Sequence, residues 1–163
     1  MLQEIETDST PEIINRLNRI REFKSITSLP QPKSIKGKLR KYQKNGFAWL
    51  NFLHEFNFGG ILADDMGLGK TVQIITLLSH LKSQKMLDKP ILIVVPTTLM
   101  ENWRREVVKF AKNLKIFLYK GHKKNRLKKM QEDTYDIMLI SYGLALLDID
   151  EFADNEFSYL ILD

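Results

Sequence analysis

Apolar residues Ile13, Ile14, Leu17, Ile20 and Phe23 recur at steps of three and four, which predicts a helix over 11–24 with one apolar stripe. Thr10 is placed to cap it, and Pro11 suits the first helical position. The stretch Leu29-Pro30-Gln31-Pro32-Lys33-Ser34 breaks the period twice with proline and predicts a linker. A second amphipathic helix follows, carrying Leu39, Tyr42, Phe47, Leu50, Leu53 and Phe56 and ending near Asn57-Phe58-Gly59-Gly60. Beyond Gly60 the pattern changes to short apolar runs at 60–63, 91–95, 116–119, 137–140 and 159–162, the length of buried strands. Between them lie helical segments at 70–85, 98–110, 123–131 and 142–147. Strands alternating with helices imply right-handed crossovers, hence an α/β domain with a mainly parallel sheet covered by helices on both faces. The chain divides accordingly into a helical arm with a proline-containing linker, 1–38, and one domain, 39–163.

Composition narrows this picture. A chain of 163 residues has room for one domain, and 44% hydrophobic with 28% charged residues is enough apolar matter for a packed core. Cysteine is absent, which excludes disulfides, thiolate metal sites and cysteine nucleophiles. His54, His80 and His122 stand far apart, so no zinc-ligand spacing is present. Every apolar run is far shorter than the ~20 residues of a membrane-spanning helix, and the acidic opening, 1–6, is unlike a signal peptide. The chain therefore reads as intracellular, in cytoplasm or nucleus. A net charge of +5 leans towards a polyanionic partner without requiring one.

The chemistry concentrates at Gly60-Ile61-Leu62-Ala63-Asp64-Asp65-Met66-Gly67-Leu68-Gly69-Lys70-Thr71, between an apolar run and a helix start. In a phosphate loop, Gly67 and Gly69 let backbone N–H groups converge on phosphate oxygens, and the helix beginning near Lys70 adds the positive end of its dipole. Met66, Gly67, Leu68, Gly69, Lys70 and Thr71 are the candidate nucleotide-binding residues. Lys70 supplies a mobile charge and Thr71 a hydroxyl for Mg2+. The general pattern opens with glycine, whereas Asp64 holds that place here. A nucleotide site also needs an acidic residue at the end of another buried strand, and Asp163, after Tyr159-Leu160-Ile161-Leu162, fits that role as a second Mg2+ ligand.

These residues together resemble the Swi/Snf family of DNA-dependent ATPases in helicase superfamily two. The resemblance covers residues 39–163. Leu39-Arg40-Lys41-Tyr42-Gln43 with Gly46-Phe47-Ala48-Trp49-Leu50 is similar to the family's opening motif, which implies that Gln43 reads adenine. The stretch from Ile61 to Gln73 is similar to motif I, in which the family itself carries Asp at the position of Asp64. Leu92-Ile93-Val94-Val95-Pro96 with Leu99, Asn102, Trp103 and Glu106 resembles motif Ia. The stretch from Asp136 to Tyr142 resembles the next motif, and Leu160-Ile161-Leu162-Asp163 the start of motif II. The resemblance implies the first of two RecA-like lobes of an ATP- and Mg2+-using motor that steps along double-stranded DNA. A second lobe would bring arginines, and a Glu would follow Asp163. It also implies a further strand between those bearing Lys70 and Asp163. Residues 39–163 are thus expected to be an incomplete lobe whose parent hydrolyses ATP, with Lys70 and Asp163 catalytic, and the chain alone is expected to be inactive.

For nucleic acid, Thr97 and Thr98 lie at the C-terminal end of an apolar run, where hydroxyls and helix-start N–H groups suit phosphate oxygens. The resemblance adds Ser141 and Tyr142 as residues that track one DNA strand. Helix capping is an equal reading for either threonine alone. Trp103 reads as core, and the lysine-rich run at 120–129 as a solvated helix face. Two other classes stay open: another phosphate-loop enzyme such as a GTPase or small-molecule kinase, and a nucleic-acid-binding module without nucleotide chemistry. The absence of an Asn-Lys-x-Asp guanine signature disfavours the GTPase.

Overall fold

The computed structural model describes Ile14, Asn18 and residues 25–132, 134–153 and 155–163. The helix expected over 11–24 therefore lies outside the described residues, apart from Ile14 and Asn18, both helical. From the second predicted helix onward the elements are α1 (Lys41–Glu55), α2 (Lys70–Ser83), β1 (Ile91–Val95), α3 (Met100–Phe110), β2 (Ile116–Tyr119), α4 (Lys123–Glu132), β3 (Ile137–Ser141), α5 (Tyr142–Leu147) and β4 (Tyr159–Leu162). Short 3-10 turns, Thr97–Leu99 and Ile149–Phe152, precede α3 and follow α5.

The four strands form one sheet in the order β2-β3-β1-β4, with every pairing parallel. Ile91 sits opposite both Ile137 and Tyr159, so β1 is central and apolar on both faces. Ile91, Ile93, Val95, Ile137 and Leu139 pack with Ile75 and Leu78 of α2 and Met100, Trp103 and Val107 of α3. On the other face Val94, Phe117, Tyr119, Met138 and Ile140 pack with Leu127 and Met130 of α4 and Leu144 and Ala145 of α5. The expected sheet with helices on both faces forms because consecutive strand residues point to opposite faces and both sets are apolar.

Helix α1 adds a further layer, its Phe47 packed with Leu77 and Leu81 of α2. The proline-containing stretch is tied to this body. Ile35 is buried in the main core, Lys36 N donates to Phe110 O, and Gln31 accepts from Leu39 N while donating to Gly37 O.

One predicted strand does not form. Residues 60–63 are irregular, although flanked as a phosphate-loop strand should be. A strand needs a hydrogen-bonding neighbour, and among the described residues none runs beside this segment. It lies instead against α1: a Cβ on Gly60 would stand 2.3 Å from Leu53 Cδ1 and 2.9 Å from Trp49 Cη2. The sheet accordingly ends at β4, whose Leu160 and Leu162 are both exposed.

Candidate nucleotide site

The loop from Asp64 to Gly69 turns into α2 through two left-handed glycines, Gly67 at φ +82° and Gly69 at φ +78°. An L side chain is strained at either position. At Gly69 space is also lacking, since a Cβ would meet Gln43 Nε2 at 2.6 Å and Val72 Cγ1 at 3.1 Å. Gly69 is the N-cap of α2 and makes no side-chain cap bond, so the first N–H groups of the helix receive no acceptor from their capping residue. This is the arrangement in which a helix start takes an anion.

Lys70 folds back over the loop, its Nζ donating to Asp64 O at 2.7 Å and Asp65 O at 3.1 Å. Those carbonyls hold the ammonium beside the helix start. Helix α1 supports the far side: Tyr42 Oη donates to Leu68 O at 3.1 Å and Gln43 Nε2 to the same oxygen at 3.2 Å. The Gln43 oxygen accepts from Arg40 N at 2.9 Å, so both ends of the carboxamide are engaged with backbone. Met66 stands out at 97% exposed, and Thr71 is half-buried.

Asp163 follows β4. Its N–H donates to Val94 O, its Oδ2 accepts from Trp103 Nε1 at 2.7 Å, and its carbonyl accepts from Tyr142 Oη at 3.0 Å. Trp103 is 1% exposed, core as its spacing predicts, yet its indole N–H orients the acidic residue. That second role has no sequence signal, because the partners lie sixty positions apart. No hydrogen bond or ion pair among the described residues joins Asp163 to Lys70 or Thr71, so the structure brings together Gln43, Leu68 and Lys70 but leaves the two catalytic candidates unlinked. The described residues contain no cluster of three or more carboxylate or imidazole groups that could hold a metal alone. The Thr71 hydroxyl and the Asp163 carboxylate are each hard oxygen donors of the kind that suits Mg2+.

Among the DNA candidates, Thr97 and Thr98 are exposed at the end of β1. Ser141 is buried and spends its hydroxyl capping α5 through Leu144 N, while Tyr142 is 46% exposed. The lysine-rich run is exposed except at Leu127, packed on the core, and Arg126, which points inward to Asp148 Oδ2 at 2.7 Å. Tyr119 Oη donates to the same carboxylate oxygen at 2.8 Å, and Lys123 stands 3.7 Å from the other. Burial alone would raise the Asp148 pKa, but the bonds from Tyr119 and Arg126 outweigh it and hold the carboxyl below its ordinary value. Burial, with the neighbouring carboxylate, pushes the Tyr119 hydroxyl up to about 12. A groove of about 620 Å³ along the free edge of β2 is lined by Lys115, Lys120 and Lys129, and no residue of the loop borders it.

Comparison with known proteins identifies the family. The family model described as the SNF2-related domain matches residues 42–163. The "Helicase swr1" of Schizosaccharomyces pombe is 44% identical over 136 residues, 81% of this chain and 11% of that protein. The "Putative ATP-dependent helicase/translocase YwqA" of Bacillus subtilis is 40% identical over 149 residues, 88% of this chain and 16% of that protein. A solved structure, "Sulfolobus solfataricus SWI2/SNF2 ATPase core in complex with dsDNA", superposes with a TM-score of 0.75 at 39% identity, covering 84% of this chain and 28% of that one. The chain thus spans about a tenth of the length of the first-matched relatives. With the parallel RecA-like sheet, the glycine loop at the start of α2 and a family match across 42–163, the chain belongs to the SNF2-related, helicase-like family.

Proposed function

We propose that the chain is the ATP-binding part of a DNA-dependent ATPase that translocates on double-stranded DNA. The observation that carries this reading is the pair of left-handed glycines opening α2 with Lys70 held over them by two carbonyls. When bound, Mg-ATP supplies the phosphoanhydride that the parent protein cleaves. Gly67 to Thr71 would hold its phosphates, and Thr71 and Asp163 would hold Mg2+. Lys70 leaves the Asp64 and Asp65 carbonyls for phosphate oxygens, an exchange of neutral for charged acceptors that strengthens each bond. Gln43, already touching Leu68, stands where a carboxamide can read adenine once its bond to the loop is released. Turnover is assigned to the longer protein, in which a second lobe's arginines neutralise charge on the γ-phosphate, an effect of about 10³–10⁵ in rate where it is known. The chain alone is expected to bind without turning over.

Thr97, Thr98 and Tyr142 are proposed contacts to the DNA backbone, supported by their exposure at the C-terminal ends of β1 and β3 and by the solved relative's complex with double-stranded DNA. Ser141 supports that surface indirectly, by capping α5.

The test is titration calorimetry of the chain with Mg-ADP and with Mg-GDP, beside Lys70→Ala. Binding that prefers ADP and is lost in Lys70→Ala is expected; equal binding by the variant, or equal affinity for GDP, refutes the nucleotide assignment. A parallel titration with duplex DNA should show affinity independent of sequence and falling steeply with salt, as phosphate neutralisation releases counterions. Salt-insensitive, sequence-specific binding refutes the backbone assignment.

A further inference from the structure

Gln73 lies in the first turns of α2, outside the glycine loop, and is completely buried. Its Nε2 donates to Asp64 Oδ2 at 2.8 Å. Its Oε1 is buried and accepts no hydrogen bond among the described residues. The space for that oxygen comes from α1: a Cβ on Gly46 would fall 1.7 Å from Gln73 Oε1 and 2.9 Å from Cδ. Gly46, Gln73 and Asp64 therefore form one connected unit across α1, α2 and the start of the loop.

A buried amide oxygen without a donor costs stability, and methionine or leucine would fill the same volume without that cost. Gln73 keeps its carboxamide in spite of it, so the gain must lie at the donor end, on Asp64. The Asp64 carbonyl is one of the two acceptors that seat Lys70. Fixing the Asp64 side chain consequently fixes where the lysine begins. The far end of the loop, Leu68, is held by Tyr42 and Gln43, which belong to the same helix as Gly46. Helix α1 thus braces the loop at both ends, directly at Leu68 and through Gln73 at Asp64.

We propose that Gln73 is a positioning residue of the nucleotide site, holding the Asp64 carboxylate so that the loop and Lys70 are preorganised for phosphates. Gly46 is glycine because Gln73 crosses α1 there. This rests on the nucleotide reading above and adds to it a residue beyond the loop.

Three forms of the chain test it, each measured for Mg-ADP affinity and for thermal unfolding without nucleotide. Gln73→Met keeps the volume and the charge around the loop while removing both the donor and the orphaned oxygen. Gln73→Glu sets one carboxylate against another. Gln73→Glu combined with Asp64→Asn restores a donor–acceptor pair at the wild-type net charge. Gln73→Met should weaken Mg-ADP binding roughly tenfold, the worth of a charged hydrogen bond, with little change in unfolding temperature. Gln73→Glu should weaken binding further, and adding Asp64→Asn should recover most of the loss. A residue that only packs would move the unfolding temperature and leave affinity alone. Wild-type affinity in Gln73→Met, or failure of Asp64→Asn to rescue, overturns the proposal. If Gln73→Met does not fold, the rescue pair decides. Loss of binding in Lys70→Ala alongside full binding in Gln73→Met would refute Gln73 alone, whereas a wild-type chain that takes no Mg-ADP would refute both readings.

Discussion

Arg126 shows what a run of lysines hides. In sequence it is one more cation in a stretch whose other members are solvated, and nothing in that stretch marks it as buried. Its partner Asp148 lies 22 positions later, after a strand and a helix, a distance at which no local pattern operates. The structure closes that gap: the pair is nearly inaccessible, joined at 2.7 Å, and shared with Tyr119. Removing one partner leaves the other charge buried, so Asp148→Ala should cost about 3–5 kcal/mol. Replacing both with apolar residues of similar size should cost much less, and urea denaturation of the single and double variants distinguishes the cases. The acid dependence has a definite sign. Because the folded-state pKa of Asp148 lies below its ordinary 3.8, the stabilisation is complete above that pH and is lost as pH falls through the lower folded value. The loop residues were legible because their chemistry is local, with Gly67, Gly69, Lys70 and Thr71 lying within five positions. The roles of Gln73 and Trp103 were not, although both fall within the matched motifs, since each acts on a residue that only the fold brings near.

At the scale of elements, strands whose two faces are both apolar announce themselves, and the predicted runs at 91–95, 116–119 and 159–162 coincide with β1, β2 and β4. The run at 60–63 has the same composition but no neighbour, which shows that apolar length predicts a strand only where the sheet offers an edge. The α1–α2 crossing is equally invisible in sequence, because it depends on a missing side chain. Gly46 sits in the interior of α1, where alanine would ordinarily favour the helix by about 1 kcal/mol. Here the added methyl would occupy the place of Gln73 Oε1, and a fully buried side chain has nowhere to retreat. Gly46→Ala should therefore lower the unfolding temperature, against the direction of helix propensity, and Gln73→Ala in the same chain should restore part of it. A Gly46→Ala chain that melts higher than the wild type would show that the crossing is looser than these distances imply.

At the scale of the whole molecule, two histidines join layers that are far apart in sequence. His54 of α1 shares a hydrogen bond with the hydroxyl of Tyr159 on β4, and His80 of α2 meets the Phe47 ring of α1 edge-on at 5.5 Å. Burial lowers both imidazole pKa values below the ordinary 6.5, and for His80 the nearby His54 lowers it further, while Glu55 opposes the shift at each. A histidine whose folded pKa is depressed resists protonation more in the folded chain than in the unfolded one. Its contribution is whole above pH 6.5 and declines as pH falls from there through the folded-state values. Protonation also sets two positive charges near one another at the joint between α1, α2 and the outer strand. The unfolding temperature should thus drop between pH 7 and pH 5, and His80→Gln should flatten the decline. Differential scanning calorimetry across that range checks this. A profile that is level from pH 7 to pH 5, or one that His80→Gln leaves equally steep, would place the pH-sensitive joint of the fold elsewhere.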